Sequence, residues 1–514
     1  MRPGSRPFWK LTGSALAALA LAFACGAARA QEYPYADGLR ADSDDASMAR
    51  AVPTDETSDP TADTDRARPP KKPKANAKGA KSTDPRLPPV RLYKGAQRAD
   101  LRGGLTSPGF DGAPPPGPTT AALPTPPPRR KIPVEQEKPY DPVGTKVGDL
   151  VLKPYIEEDV GYASNPSQVA GPTKGSAFST TEVGASLQSD WTRDDLHGVL
   201  KGGYTDYFAA PEDSAPFGSG ALDGRYDVSK ALSFDGEGRF NVANEPQSAL
   251  GITGSKINQN TLVSTYGASV GAAQKFGDLT LALHGSFDRT TYQEQGVAAD
   301  DSLSTDDYND WGVKARASYR LSDAVSPFLE LGADTRVYDH VVDATGYERD
   351  SNGVTAMLGM TLAYSKMLTG EVSVGYGARE YQDPKLPNAS APLLNASLIW
   401  AATPLTTITL KTQSSLQDAV LAGASADINR SYTIDVSHAL TRQIKLGVTA
   451  GLSTDAYVGV SLKDTTLTLG ANVEYALSRD VVLKASATRQ QFTSSATNSN
   501  YVANVFLLGL RLQE

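Results

Sequence analysis

The chain has 514 residues, 39% of them hydrophobic, and carries 50 Lys+Arg against 58 Asp+Glu, a formal net charge of −8. The apolar share lies below the usual globular value, and beyond the N-terminus no apolar run could cross a bilayer as a helix. This argues against a conventional soluble domain and against helical spans. It leaves a polar β-protein, an unfolded chain, or a barrel whose strands are apolar on one side only.

At the N-terminus, Arg2, Arg6 and Lys10 form a basic stretch, followed by an Ala/Leu-rich run from Leu11 to Ala24. Ala28-Arg29-Ala30 then fits the small-x-small cleavage rule, which predicts a signal peptide over residues 1–30 and a mature chain starting at Gln31. An uncleaved anchor is the alternative, but the run is short for a span. Cys25 is the only cysteine, and Ala22 and Phe23 precede it where a lipoprotein site usually carries Leu and a small residue. A mature chain without a thiol has neither disulfides nor cysteine metal sites, in a compartment where disulfides would persist.

Residues 31–140 hold 20 of the 34 prolines and separate their charges. Residues 31–65 contain ten acids against Arg40 and Arg50, a net of −8, whereas 66–140 contain sixteen Lys/Arg against five acids, a net of +11. Such a segment cannot bury enough apolar surface to offset its ordering entropy, so a disordered, polyproline-like tail is predicted. Its basic part is either a solvated spacer or a contact for an anionic polymer such as the cell wall.

From about residue 141 the pattern alternates with period two. Leu232, Phe234, Gly236, Gly238, Phe240 and Val242 share one face, and Ser233, Asp235, Glu237, Arg239 and Asn241 the other. The same alternation runs through Leu279–Asp288, Trp311–Arg320 and Ile444–Asp455. Alternation alone would also suit a soluble sandwich.

The turns separate the two. A short punctuation recurs at Tyr226–Leu232, Tyr319–Val325, His438–Ile444 and Tyr475–Val481, with looser versions at Trp191–Leu196, Phe276–Leu279, Tyr364–Val372 and Trp400–Leu405. Between these eight turns lie polar loops of about 10 to 17 residues, such as 244–260, 293–306 and 340–352. Short turns on one rim and long loops on the other make the layout of an outer-membrane barrel. Trp191, Tyr226, Tyr319, Trp400 and Tyr475 at the turn edges suit an interfacial girdle. Sixteen strands joined by the turns, one before them (148–163) and one after (501–512), predict an all-β transmembrane up-and-down barrel of about 18 strands. An even count puts both chain ends on the periplasmic side. The last strand directs Phe506, Leu508, Leu510 and Leu512 to the surrounding lipid. It ends Gln513-Glu514 rather than with the aromatic that commonly serves the barrel-assembly machinery.

Several runs together resemble a known family. They are Arg129-Arg-Lys-Ile-Pro133, Val147-Gly-Asp-Leu-Val-Leu-Lys-Pro154, Gly161-Tyr-Ala-Ser-Asn-Pro166, Gly203-Tyr-Thr-Asp-Tyr207, Arg336-Val-Tyr-Asp339 and Gly375-Tyr-Gly-Ala-Arg-Glu-Tyr-Gln-Asp-Pro384. In this order they are similar to the outer-membrane β-barrel porin family called beta-barrel porin type 2, over about residues 130–514. The resemblance implies a barrel and brings no catalytic motif and no solute.

No enzyme chemistry is expected. Gly267-Ala-Ser-Val-Gly271 matches G-x-S-x-G, but Ser269 lies in an alternating strand, not at a strand-to-helix elbow. His197, His284, His340 and His438 are far apart and have no ligand spacing. Acidic loops such as Asp300, Asp301, Asp306 and Asp307 lack a calcium pattern, so no cofactor or metal is expected, and no nucleic-acid partner. The wet face is where function is expected. Asp235, Glu237, Arg239, Arg316, Asp334 and Arg336 are the candidate lumen charges, and Lys314, Arg320, Glu330, Glu371, Arg379, Lys411, Lys445 and Lys484 are also read as inward. They brace the wall as cross-strand ion pairs, bias a water-filled path, or do both. Residues 141–514 carry 28 basic and 43 acidic residues, which would favour cations if the excess faced the lumen.

The leading expectation is a porin-like channel for passive diffusion of small hydrophilic solutes. The alternatives are an exporter of a surface polysaccharide and a non-conducting barrel that anchors the envelope. The sequence leaves open whether three barrels associate as a homotrimer and whether a loop narrows the bore.

Overall fold

The structure, a computed structural model, describes residues 140–245, 261–294, 303–364 and 367–514. The expected signal peptide and the tail up to residue 139 lie outside the described residues. A three-residue strand, β1 (Thr145–Val147), turns back onto β2 (Leu150–Ala163). Then follow β3 (Ser176–Ser189), β4 (Asp195–Tyr207), β5 (Ala215–Asp227), β6 (Leu232–Glu245), β7 (Thr261–Phe276), β8 (Leu279–Glu294), β9 (Tyr308–Tyr319) and β10 (Val325–Tyr338). The second half comprises β11 (Ser351–Tyr364), β12 (Leu368–Tyr381), β13 (Ala389–Thr403), β14 (Thr406–Asp418), β15 (Ala426–Ala439), β16 (Ile444–Val458), β17 (Lys463–Ala476), β18 (Val481–Ser494) and β19 (Tyr501–Gln513).

From β2 onward each strand pairs antiparallel with its sequence neighbours. β19 returns to β2 between Val505↔Ala163 and Gln513↔Tyr155, so eighteen strands close one barrel, as expected. One closed sheet excludes the two-sheet sandwich. Closure leaves no continuous strand edge from one rim to the other. The short hairpin of β1 against β2 was not foreseen.

All eight tight connections join the strands that the sequence assigned to them. The recurring punctuation has a local cause. Its central hydroxyl residue accepts hydrogen bonds from backbone N–H groups two and three positions on, at Ser229, Ser322 and Thr441. The N–H of the same residue donates to the carbonyl of Leu232, Val325 or Ile444, so the turn satisfies itself where the ladder ends. The two-residue turn between Phe276 and Leu279 instead needs glycine. Gly277 sits at φ +64°, the first central position of a II′ turn.

The opposite rim departs from expectation. Connections 164–175 and 339–350 are long, but 208–214, 382–388, 419–425, 459–462 and 495–500 are short. There the strands run on to leave connections of four to seven residues, where loops of about 10 to 17 were expected.

The alternation sorts the two faces. Phe234, Val270, Leu283, Leu329, Leu358, Val374, Val448 and Leu508 point out and are exposed, with Trp191, Tyr226, Tyr319, Trp400 and Tyr475 around the turn rim. Ser233, Glu237, Thr265, Asp288, Arg316 and Arg379 point in and are buried among one another. The outer band is therefore a hydrocarbon-facing surface and the interior a polar one. Val270 lies on β7 between Tyr266 and Phe276, near the middle of that band. Val270→Arg should lower the folding stability of the barrel in lipid by about 2–4 kcal/mol, measured by urea unfolding in bilayers, while Val270→Leu should leave it nearly unchanged.

Candidate functional site

The six candidate charges all lie on the inner face, and nearly all are held by neighbours. Arg239 on β6 places Nη2 2.6 Å from both carboxylate oxygens of Asp288 on β8, and Glu237 Oε1 lies 3.4 Å from its Nη1. Arg316 on β9 donates to both oxygens of Glu371 on β12, at 2.6 and 3.0 Å, and reaches Glu330 at 3.4 Å. Its guanidinium stacks 3.4 Å above the Phe328 ring. Asp334 on β10 pairs with Arg379 on β12. Arg336 donates from Nε to Asp310 on β9 at 3.0 Å. Asp235 bonds to His284 at 3.0 Å. Its side chain is 21% exposed, the most open of the six.

Arg336–Asp310 and Arg316–Glu330 join directly paired residues of β9 and β10, whereas Arg239–Asp288, Asp235–His284, Asp334–Arg379 and Arg316–Glu371 reach past the neighbouring strand, so together they tie the inner wall sideways. A second group, Glu157 with Lys484 at 2.9 Å and Arg511 at 2.6 Å, braces the closing seam of β2, β18 and β19. Arg320 corrects one expectation: it lies in the turn after β9, exposed and bonded to Asp278 at 3.1 Å, away from the lumen. The G-x-S-x-G run is part of β7, and no grouping of His, Cys, Asp or Glu among the described residues could hold a metal.

The loop rim holds what the sequence did not indicate. β13 and β14 pair from the turn only as far as Ala396↔Thr412. Above that point β13 stays on β12 up to Arg379↔Ala389, while β14 stays on β15 up to Asp418↔Ala426. The sheet forks, and Asn395 marks the fork by accepting the Ser414 N–H at 3.1 Å. The upper part of the β14–β15 hairpin folds inward over the inner faces of β12 and β13. Leu416 packs on Ala389, Ala391 and Ala426, with Tyr381, Ile428 and Val458 around them.

The tip of the hairpin reaches further. Val420 joins Val263, Tyr292, Tyr308 and Tyr338, which come from β7 to β10. Arg336 Nη2 donates to the Leu416 carbonyl at 3.4 Å, and Tyr338 OH bonds to Asp418. Arg349, from the loop 339–350, donates to the carbonyls of Ala419, Leu421 (3.2 Å) and Ala424 (2.9 Å). Asp343 and Asp306 hold that guanidinium from behind. Burial pushes the Asp306 carboxyl well above the usual range. At Asp343 burial works in the same direction, but the Tyr347 N–H and Arg349 outweigh it and hold the carboxyl low. Below the hairpin lies a cavity of about 70 Å³, lined by Asp288, Asp310, Lys314, Asp334, Arg379 and Leu416 among others. One signal for the fork was present in the sequence. β13 is apolar on both faces (Ala389, Ala391 and Leu393 inward, Pro392 and Leu394 outward), against the alternation of its neighbours.

Residues 138–514 match the family model described as "Putative beta-barrel porin 2". The chain belongs to this family. This makes it an outer-membrane β-barrel of the porin type. No curated protein matches it. Among solved structures it is similar to OccK1 (OpdK) of Pseudomonas aeruginosa, at 11% identity over 71% of this chain and 99% of that one, with a TM-score of 0.38. OccK2 (OpdF) of the same organism, solved with glucuronate, gives 12%, 71%, 98% and 0.38. A BenF-like porin from Pseudomonas fluorescens Pf-5 gives 10%, 72%, 100% and 0.39. At such values nothing about solutes or individual residues carries over.

In this porin the loop rim is also built inward on the side of β2 to β6. Tyr501 OH donates to Gln168 at 3.0 Å, and Ser167 donates to Asp213 at 2.6 Å. Burial pushes the Asp213 carboxyl up to about 6, against that hydrogen bond, which favours the charged form. An acid with a raised folded pKa binds its proton more tightly when folded. Its contribution to stability is full below about pH 4 and is lost as pH rises through about 6. Thermal unfolding followed from pH 4 to pH 7 should thus show a fall in stability that Asp213→Asn reduces.

Removing one partner of a buried pair strands the other. Arg336→Met should cost about 3–5 kcal/mol, and Arg336→Met with Asp310→Leu clearly less, in a double-mutant cycle of urea unfolding.

Proposed function

We propose that this porin lets small hydrophilic solutes cross the outer membrane by passive diffusion. The observation that carries the reading is the inner face, polar and ionic along the strands and continued by the lined cavity under the hairpin. In a closed eighteen-strand wall such a face serves no purpose in a dry core and suits water. On this reading the turn rim and both chain ends lie in the periplasm, where the basic segment 66–140 has access to the anionic cell wall.

The inward arginines are held by carboxylates, so selectivity rests on the charges that meet the bore. Asp235 is the most open of the six candidates. The mature chain in a planar bilayer should give discrete conductance steps. Asp235→Lys should shift the reversal potential in a salt gradient toward anions, and Arg336→Met should shift it less. Silence from a barrel shown to be folded would remove the diffusion reading. It would favour the second one, an exporter of a surface polysaccharide opened by partners, for which the occupied loop rim speaks.

A further inference from the structure

The fork between β13 and β14 is closed by side chains rather than by the main-chain ladder. Elsewhere around the barrel, separating two strands breaks a row of hydrogen bonds over nearly their whole length, with shorter gaps only where β5 leaves β6 above Gly218↔Val242 and β19 leaves β2 above Val505↔Ala163. Here residues 389–395 of β13 have no strand partner on the β14 side. β15 stays on β16 by a full ladder from Ala439↔Lys445 to Ala426↔Val458, so only the β13 side of the hairpin is held by a layer of small apolar side chains and a few long polar ones. Gly377 on β12 makes the contact flush: a Cβ there would lie 3.3 Å from Leu416 Cδ1 and 3.0 Å from Leu393 Cδ1.

The sequence builds the free edge in. Pro392 sits in the unpaired stretch. The other strand prolines, Pro154, Pro216 and Pro327, also pair on one side only. A residue without an N–H is tolerated in a sheet where no partner asks for that donor. The fork is therefore not an accident of local packing.

The contact is also polar in an incomplete way. Arg336 Nη1, Arg379 Nε, Tyr381 OH, Gln417 Oε1 and Asp418 Oδ2 are buried on the hairpin or on the strands it covers, and have no hydrogen-bond partner among the described residues. Buried groups left unmatched weaken the state that buries them. A joint without a ladder, lined by small apolar residues and carrying unmatched polar atoms, opens at lower cost than a laddered one.

We propose that the upper β14–β15 hairpin, moving together with the end of β16 to which its ladder ties it, is a gate that opens at the Asn395–Thr412 fork, swings off the inner wall of β12 and β13 and clears the loop rim. Arg349 is its latch, because it alone grips three carbonyls of the tip. The gate deepens the diffusion reading and rests on it for its purpose, but the motion is measurable without any solute.

The test compares two cysteines in the full chain, carrying Cys25→Ser, refolded into lipid vesicles. Ala391 and Ala273 are both inward and 1% exposed. Ala391 lies under the hairpin, whereas Ala273 lies on β7, which pairs on both sides. A bulky maleimide should label Ala391→Cys about tenfold faster than Ala273→Cys, through local opening. Arg349→Ala should raise the Ala391→Cys rate further and lengthen the time spent in the larger conductance level. Gly377→Val, which props Leu416 off the wall, should do the same and covers the case in which Arg349→Ala does not fold. Equal labelling rates that neither variant changes would overturn the gate, whatever the conductance. Fast labelling of Ala391→Cys with a silent bilayer would uphold the hinge and remove free diffusion.

Discussion

A strand buried in hydrocarbon cannot leave its N–H and C=O groups to water, and that constraint organises the rest of this molecule. The backbone must be paired by strands on both sides, so the sheet closes where β19 returns to β2. Once closed, every strand has one face in lipid and one in the lumen, and the period of two fixes which residue types each face can hold. Turns are then required to end the ladder without orphaned groups. The repeated Ser or Thr supplies that in a few residues by accepting the N–H groups that the ladder no longer uses.

The lumen follows a second rule. Charges cannot point to lipid, and a single charge buried beside others is costly, so the inward arginines are matched by carboxylates on other strands. Arg239 with Asp288, Arg316 with Glu371 and Arg336 with Asp310 are bracing as much as lining. Each of these arginines is matched by a carboxylate, while further buried acids such as Asp159 keep the inner wall acidic on balance. Salt screens charges at the rims over about 8–10 Å, so the field along the bore is set by the inward groups rather than by the net charge of the barrel region as a whole.

The fork between β13 and β14 is where the first rule is relaxed. Near the loop rim a strand edge is free, and its groups are met by side chains: Asn395 for the Ser414 N–H and Arg336 for the Leu416 carbonyl. Side-chain partners hold less cooperatively than a ladder, since each can be released singly. The same exchange puts an apolar layer inside an otherwise polar lumen, with Leu416 against Ala389 and Ala391. A structural exception and a chemical exception thus coincide.

The one-dimensional pattern determined the barrel. Alternation, eight tight turns and the even strand count needed no tertiary information, because each residue's face depends only on its parity along a strand and each turn on its own hydroxyl or glycine. The six candidate charges could be assigned to the inner face for the same reason. Their pairing could not: Arg316 meets Glu371 and Arg239 meets Asp288 through strand stagger and side-chain reach, which parity does not encode. Arg320 was misplaced because alternation was carried one residue past the end of β9 into the turn. The hairpin was hidden for a related reason. β14 and β15 alternate like any other strands, and only the contacts across the fork decide whether their upper halves continue the wall or fold beneath it. Pro392 and the two-sided apolar face of β13 marked the place, but what covers that face was settled by the packing of Leu416, Gly377 and Arg349 in three dimensions.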